Sequence, residues 1–167
     1  MKKVLCFFIG IFMIFGLIGM ASAYSFVDTI SNDVLIVEGW AFSYTHNLTA
    51  EIGASDVVTD AQLALKFKWD LLDGSIFNEY VSVNFDGAIW NVGEVDNATY
   101  SVAVEPSSLV DRLLGVTISV TNNARLWGTA WLDESTVTGN ANQVPEPTTM
   151  LLLGLGLVGL AGLRRKF

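Results

Sequence analysis

The sequence predicts an all-β protein whose middle forms an antiparallel β-sandwich of the jelly-roll type. Two further segments flank this domain, an N-terminal signal peptide and a C-terminal single transmembrane helix. Three observations support this prediction: apolar and polar residues alternate in the middle of the chain, turn signals separate the alternating runs, and residues 4–20 and 148–163 are almost purely apolar. A chain of 167 residues is long enough for one domain with a buried core.

The N-terminus has the three parts of a secretory signal. Lys2 and Lys3 precede the apolar run, and the small residues Ala21 and Ala23 follow it in an A-x-A pattern. We expect signal peptidase to cut after Ala23, so that residues 1–23 are removed; a retained membrane anchor is the alternative. The only cysteine, Cys6, lies in this segment, so the mature chain has no disulfide, thiolate nucleophile or cysteine metal site.

The sandwich domain is assigned to residues 24–138 because strand patterns recur there. Period-2 alternation is typical of half-buried strands, and Asp86-Gly87 is a two-residue hairpin signal. One or two helical turns are expected at residues 107–114, and residues 139–143 read as a linker rich in small and polar residues. The expected strands cover residues 34–44, 63–69, 81–85, 88–92, 100–104, 116–121, 125–132 and 136–138.

The charge of the middle region excludes one class of function. Residues 24–143 contain four Lys and Arg against 16 Asp and Glu. Because proteins bind nucleic acid through clustered basic residues, a nucleic-acid partner is not expected. A weak attraction for cations is the more natural consequence.

Few residues are available for catalysis. His46 is the only histidine, so a Ser-His-Asp arrangement would have to be built around it, and we expect it to be solvated in a loop. The sequence contains neither a phosphate-binding glycine loop nor an H-E-x-x-H motif. The chain is therefore predicted not to be an enzyme. An extracellular hydrolase would require a cleft with converging carboxylates or His46.

A calcium ion is the one cofactor that the sequence suggests. Oxygen-bearing side chains of the kind that hard cations prefer gather in a single connection after a strand. Their spacing does not match an EF-hand, and a solvated polar loop is the other interpretation. The side chains are Asp70, Asp73, Ser75, Asn78 and Glu79.

Tryptophan residues suggest a second binding hypothesis. The domain contains all five tryptophans of the chain, and exposed rings can stack on sugars. Trp127 and Trp131 lie on one face of the same predicted strand, so both are either presented to solvent or packed in the core.

The C-terminus consists of three consecutive parts. Val144, Pro145, Glu146 and Pro147 form a stiff extended peptide, since each proline fixes its own φ and restricts the residue before it. Residues 148–163 would make a helix of roughly 24 Å, which is short for a bilayer core of about 30 Å. The basic end, Arg164, Arg165 and Lys166, should stay cytoplasmic and leave the sandwich on the other side of the membrane.

This C-terminal arrangement of residues 144–167 resembles the PEP-CTERM sorting signal of Gram-negative bacteria. The resemblance implies export by the general secretion machinery, transient retention in the inner membrane, recognition by an exosortase, and transfer to the cell surface or extracellular matrix. A plain transmembrane anchor is the alternative. We therefore expect a non-enzymatic exported protein with a structural or adhesive role in exopolysaccharide or biofilm. A polysaccharide-binding module in the same compartment is the alternative function.

Overall fold

The computed structural model describes residues 22–68, 79–122, 128–144 and 155–156. Residues Ala23–Asn142 form one compact unit, and the chain on either side of it is assigned to a separate one. The described residues of Ala23–Asn142 contain eight strands and one 3-10 turn, Pro106–Leu109. The strands are β1 (Ala23–Val37), β2 (Ala41–Asn47), β3 (Val57–Lys68), β4 (Glu79–Phe85), β5 (Ala88–Glu94), β6 (Thr99–Val104), β7 (Leu113–Asn122) and β8 (Thr129–Asn142).

The strands form two four-stranded antiparallel sheets. The first sheet has the order β1-β8-β3-β6 and the second the order β2-β7-β4-β5. The chain crosses between the two sheets at every connection except the β4–β5 hairpin, which is the topology of a jelly roll. The predicted all-β, antiparallel, jelly-roll-like sandwich is therefore confirmed.

Period-2 alternation places the core between the sheets. In β3 the side chains of Leu63, Leu65 and Phe67 are buried, whereas those of Gln62, just before them, and Lys66, between the last two, are exposed. Each apolar side chain buried in this way stabilises the fold by about 1.5–3 kcal/mol. The inward residues of β4 and β7 meet those of β3 and β8 to form one continuous core.

The hairpin between β4 and β5 has the predicted turn. Asp86 and Gly87 both have positive φ, 47° and 88°, and the flanking residues Phe85 and Ala88 are paired. Two central residues with positive φ define the turn type that matches the twist of a hairpin. The Asp86-Gly87 prediction is confirmed.

The single strand expected at residues 34–44 is wrong, because the chain turns there. Gly39 adopts φ 82°, and the Trp40 amide donates to the Val37 carbonyl at 3.0 Å. The turn sends β1 into the first sheet and β2 into the second. At residues 107–114 the helical prediction holds only for Pro106–Leu109, since β7 begins at Leu113.

Residues 139–142 are not a linker but the last four residues of β8. They pair with β1 on one side and with β3 on the other. Gly139 is small for a packing reason: a β-carbon there would overlap the Asp60 carbonyl oxygen and lie 2.6 Å from the Phe26 ring. The small and polar residues that predict a linker here are therefore residues of a tightly packed central strand.

A bulge near Asp133 changes which side chains of β8 face the core. Lys66 pairs with Glu134 but Phe67 pairs with Leu132, so Asp133 is an extra residue opposite β3. Leu132 and Ser135 are both buried although they are three positions apart. The bulge therefore turns Ser135 into the interior, where strict alternation would have turned it outward.

The predicted membrane segments lie almost entirely outside the described residues. Leu155 and Gly156, the two described positions of the C-terminal apolar segment, are helical. Within the described ranges, no helix has the length and apolar character needed to span a membrane.

Candidate functional site

His46 is fully buried, so the expectation of a solvated loop is wrong. It lies on β2, where Phe42, Tyr44 and His46 face the interior and the residues between them are exposed. The signal was present in the sequence as an apolar-polar alternation that runs through the histidine and continues to the buried Leu48.

The imidazole of His46 bridges two other polar side chains. Its Nδ1 lies 2.7 Å from Asp28 Oδ2, and its Nε2 lies 2.8 Å from Ser135 Oγ. Asp28 is on β1 and Ser135 on β8, both in the first sheet, whereas His46 belongs to the second. The Asp28–His46–Ser135 chain therefore joins the two sheets through hydrogen bonds, with the connectivity of a serine-hydrolase triad.

The burial of this chain determines what it can do. His46 and Ser135 are 0% exposed, and the Asp28 side chain is 22% exposed. Ser135 lies on a strand that has neighbours on both sides, and its hydroxyl points between the sheets. A nucleophile has to reach its substrate, so a Ser135 hydroxyl in this position cannot attack one without opening the sandwich.

The protonation state of His46 follows from its surroundings. Burial lowers its pKa below 6.5, and the hydrogen bond and charge of Asp28 only partly oppose that shift. Since a carboxylate can only accept, the neutral imidazole donates from Nδ1 to Asp28 and accepts the Ser135 hydroxyl proton at Nε2. Both ring nitrogens are satisfied without a net charge on the ring.

Tyr44 extends the polar region between the sheets. Its ring meets the His46 ring edge-on, with centroids 5.7 Å apart. Burial raises the pKa of Tyr44 to about 12, and the Ser135 hydroxyl opposes the rise. The Tyr44 hydroxyl nevertheless makes no well-formed hydrogen bond among the described residues.

A second polar cluster, the outer-face cluster, lies on the solvent side of the first sheet. Lys66 Nζ is 2.7 Å from Asp133 Oδ2, and Lys68 contacts both Asp33 and Asp133. These ion pairs raise the pKa values of both lysines and lower those of Asp33 and Asp133. Because the groups are solvated, pairs of this kind contribute little to stability.

Trp131 belongs to the outer-face cluster. Its indole N–H donates to Asp33 Oδ1 at 2.7 Å, and Lys68 Nζ lies 5.0 Å from the ring centroid. Trp127, its predicted partner in a sugar platform, lies outside the described residues. Within the described turns, Trp40 is exposed, with 75% of its surface accessible to solvent. The platform stays a prediction.

The predicted calcium loop is also outside the described part of the chain. Asp70, Asp73 and Asn78 are not described, and Glu79 is described only as the first backbone position of β4. Within residues 22–68, 79–122 and 128–144, no three His, Cys, Asp or Glu side chains are grouped to hold a metal ion. Calcium binding stays a prediction.

Two carboxylates, those of Asp86 and Asp111, line a shallow surface concavity of about 470 Å³ together with Ser107, Ser108 and Val110. Each carboxylate already supports a turn. Asp86 Oδ1 accepts from the Gly115 amide at 3.1 Å, and Asp111 Oδ1 accepts from the Leu113 amide at 3.0 Å. These contacts give both aspartates a structural role.

Of the residues predicted to be recognised during processing, the structure describes only the two nearest to the sandwich, Ala23 and Val144. Ala23 is the first residue of β1, and Val144 is exposed two positions after β8 ends. Ala21, the sorting residues Pro145, Glu146 and Pro147, and the basic stop Arg164, Arg165 and Lys166 lie outside the described residues.

Comparison with solved structures finds matches at low sequence identity and with low TM-scores. The crystal structure of FLHE is 11% identical, covering 72% of this chain and 97% of that one, with a TM-score of 0.40. The infectious bursal disease virus VP2 subviral particle is 11% identical, covering 72% and 37%, with a TM-score of 0.40. Turnip yellow mosaic virus is 13% identical, covering 74% and 95%, with a TM-score of 0.35. No curated protein matches significantly.

Comparison with protein families finds a match at the C-terminal end of the chain. Residues 143–166 match the PEP-CTERM protein-sorting motif. This range contains the Val-Pro-Glu-Pro block, the apolar segment and the basic residues singled out in the sequence. The chain thus carries a PEP-CTERM protein-sorting motif, which supports its identification as an exported substrate of an exosortase.

Proposed function

We propose that this protein is a non-enzymatic structural component of the cell surface or extracellular matrix, delivered by exosortase sorting. The observation that carries the proposal is the position of the sorting motif. It begins at residue 143, directly after the last strand of the sandwich ends at Asn142. All eight strands therefore precede the motif, and removal of the motif leaves the sandwich whole.

The burial of the Asp28–His46–Ser135 chain supports a non-enzymatic role. The arrangement has triad connectivity, yet its serine is 0% exposed. Asp86 and Asp111, the carboxylates that line the surface concavity, accept hydrogen bonds from backbone amides. These polar groups fit the internal and turn structure of a passive domain.

The outer face of the first sheet favours the alternative, a polysaccharide-binding module. Hydroxyl and amide side chains form cross-strand pairs there, including Thr29 with Thr136 and Gln62 with Ser101. Trp131 lies on the same face. Such groups can exchange hydrogen bonds with sugar hydroxyls, and an aromatic ring can stack on a sugar.

Intact mass tests the proposed delivery. The protein would be recovered separately from the inner membrane and from the surface or matrix fraction of its native host. We expect the outer species to lack residues 1–23 and to be truncated within residues 144–148. A single membrane-bound species that retains residues 164–167 would contradict the proposal.

Retention on the producer's own exopolysaccharide separates the two functions. The structural role predicts weak retention that does not change in the double variant Gln62→Ala/Trp131→Ala. The binding module predicts strong retention that this variant abolishes. Trp40→Ala is the matched control, because it removes an exposed tryptophan at the turn between β1 and β2.

A further inference from the structure

The first sheet has an edge at β6 that is available for pairing. In the order β1-β8-β3-β6, β6 has β3 as its neighbour on one side, and no described strand lies on the other. Its pairing with β3 keeps one register from Ala61–Val104 to Lys66–Thr99, so the strand is regular and without a bulge. Its sequence, TYSVAV, contains no charged residue, proline or glycine. An edge strand of this kind is one that another chain can extend.

The hydrogen bonds to β3 determine which backbone groups of β6 point outward. The Phe67 amide donates to the Ala98 carbonyl at 2.9 Å, which makes these two residues a hydrogen-bonded pair of the antiparallel ladder. Such pairs alternate with pairs that are not hydrogen-bonded, so the even-numbered residues of β6 bond to β3. Thr99, Ser101 and Ala103 therefore direct their N–H and C=O groups away from β3. The side chains of all three are exposed.

The other three sheet edges carry features that hinder pairing of this kind. The register of β1 shifts around Asp33, which has φ 47°. The register of β5 shifts next to Gly93, which has φ 89°. Such bulges bend a strand and turn an edge away from a partner. β2 is regular, but the hydrogen bond between His46 and Asp28 holds it beside β1. Among the described edges, β6 combines a regular register with an unoccupied side.

The edge of β6 is complementary to itself. Antiparallel pairing of two β6 strands about Ser101 places Ser101 opposite its own copy and Thr99 opposite Ala103 of the second chain. The outward residues of the two strands then exchange about six backbone hydrogen bonds. Because their side chains are small and uncharged, the two strands meet without a steric or electrostatic conflict.

The charge of the domain restricts where two copies can meet. Residues 24–143 contain 16 acidic against four basic residues, so most surfaces of two copies repel each other. In the register centred on Ser101, Asn97 lies opposite Glu105 of the second chain and Asp96 lies opposite its proline 106. The acidic residues that flank β6 therefore meet an amide and a proline and not one another. The Asn97 amide is a donor for the Glu105 carboxylate, so the strand ends are complementary as well.

The geometry points to β6 as a self-association edge, at which a second copy of this chain pairs its own β6 antiparallel about Ser101. The pairing joins two four-stranded sheets into one continuous sheet. This inference goes beyond the proposed structural role, because it names the contact through which copies associate. It rests on the edge of the sandwich and not on exosortase delivery, so either can fail while the other stands.

Disulfide linking of the full chain tests the contact. Cys6, the native cysteine, is replaced by serine so that each introduced thiol is the only one. Ser101→Cys should form a linked dimer under mild oxidation, since Cα atoms about 5.5 Å apart lie within the range of a disulfide. Ser43→Cys is the matched control, because it is exposed on β2, the other regular edge.

We expect at least about tenfold more linked dimer from Ser101→Cys than from Ser43→Cys, because paired thiols react at a high effective concentration. Equal yields from the two variants would overturn the inference.

Linking between different positions tests the register. Chains with Thr99→Cys and chains with Ala103→Cys, produced together, should link to each other. Neither variant should link efficiently to itself, because like positions are offset by four residues, or about 13 Å, along the paired strands. Preferential self-linking of either variant, or no linking between the two, would overturn the antiparallel register.

A proline at the centre of β6 tests whether the backbone makes the contact. Since the Ser101 amide points away from β3, Ser101→Pro removes an outward donor and leaves the ladder with β3 in place. It should abolish linking between the Thr99→Cys and Ala103→Cys chains, whereas Ser101→Ala should preserve it. Thermal melting verifies that both variants are folded. Linking of a folded Ser101→Pro chain at the level of Ser101→Ala would contradict the inference.

Discussion

The sandwich and the sorting segment differ in the kind of residue relationship on which they depend: contacts between distant residues in the first, and a run of consecutive residues in the second. In the sandwich, His46 contacts residues 18 and 89 positions away in the sequence, so the Asp28–His46–Ser135 chain exists only after folding. The sorting motif is contained in the continuous stretch of residues 143–166. A folded contact depends on every strand that positions it, whereas a linear motif depends on its own residues. Substitutions in the sorting segment should therefore change the location of the protein, whereas substitutions in the interior of the sandwich should change its free energy of unfolding.

The largest effect is expected from substitutions in the sorting segment. They should change where the protein is located and leave its stability unchanged. Replacing Pro145 and Pro147 by alanine removes the two residues from which the sequence predicts an extended peptide. We expect the double variant to accumulate in the membrane fraction and to be lost from the surface fraction, as measured by immunoblotting. The melting temperature of the sandwich should not change. A surface fraction equal to that of the wild type would show that delivery does not depend on these two prolines.

The converse change is a substitution in the interior of the sandwich. His46→Ala removes a buried ring and leaves Asp28 and Ser135 without their shared partner. We expect a loss of about 3 kcal/mol in the free energy of unfolding, measured by urea denaturation of the mature chain. Thr45→Ala, an exposed neighbour on β2, is the control and should cost less than about 0.5 kcal/mol. Equal effects of the two variants would show that the buried chain contributes nothing.

The pH dependence of the free energy of unfolding gives a second test of the role of His46. Because burial lowers the pKa of His46 in the folded state, the unfolded state takes up a proton first as the pH falls below 6.5. The contribution of His46 is therefore complete above pH 6.5 and declines below it. The pKa values of Asp33 and Asp133 are lowered from 3.8, so their contribution is complete above pH 3.8 and declines only below it.

Unfolding curves at pH 7.5 and pH 5 measure this difference. The wild type should be less stable at pH 5, and His46→Gln should lose most of that decline. A decline of the same size in both proteins would assign it to other groups.

The smallest effect is expected at the outer-face cluster. Lys68→Met removes the ammonium group that contacts Asp33, Asp133 and the Trp131 ring. Because these groups are solvated, the urea midpoint should stay within experimental error. Tryptophan fluorescence should still change, since the charge near the ring is gone. A clear loss of stability would mean that this cluster holds the sheet together.

The features that the sequence predicts correctly are those in which neighbouring residues carry the whole signal. Alternation in residues 63–68 predicts β3, and Asp86-Gly87 predicts a hairpin, because turn type and strand face depend on local conformation. The sorting motif is local in the same sense.

The features that the sequence does not predict depend on distant strands. Ser135 faces the core because a bulge opposite Lys66 and Phe67 shifts its face, and strict period-2 counting turns it outward. Gly139 is required by Asp60 and Phe26, which lie on two other strands. His46 is an intermediate case, because its own strand pattern places it inside but does not identify Asp28 or Ser135 as its partners.

Transplanting the sorting segment tests whether residues 143–167 alone direct delivery to the surface. Residues 143–167 would be fused to an unrelated exported protein in the native host and deleted from this chain. The surface fraction of each protein would be measured by protease shaving of intact cells. We expect the fusion to reach the surface and the deleted chain to stay folded but leave the surface fraction. Retention of the fusion inside the cell, with continued surface delivery of the deleted chain, would contradict the account.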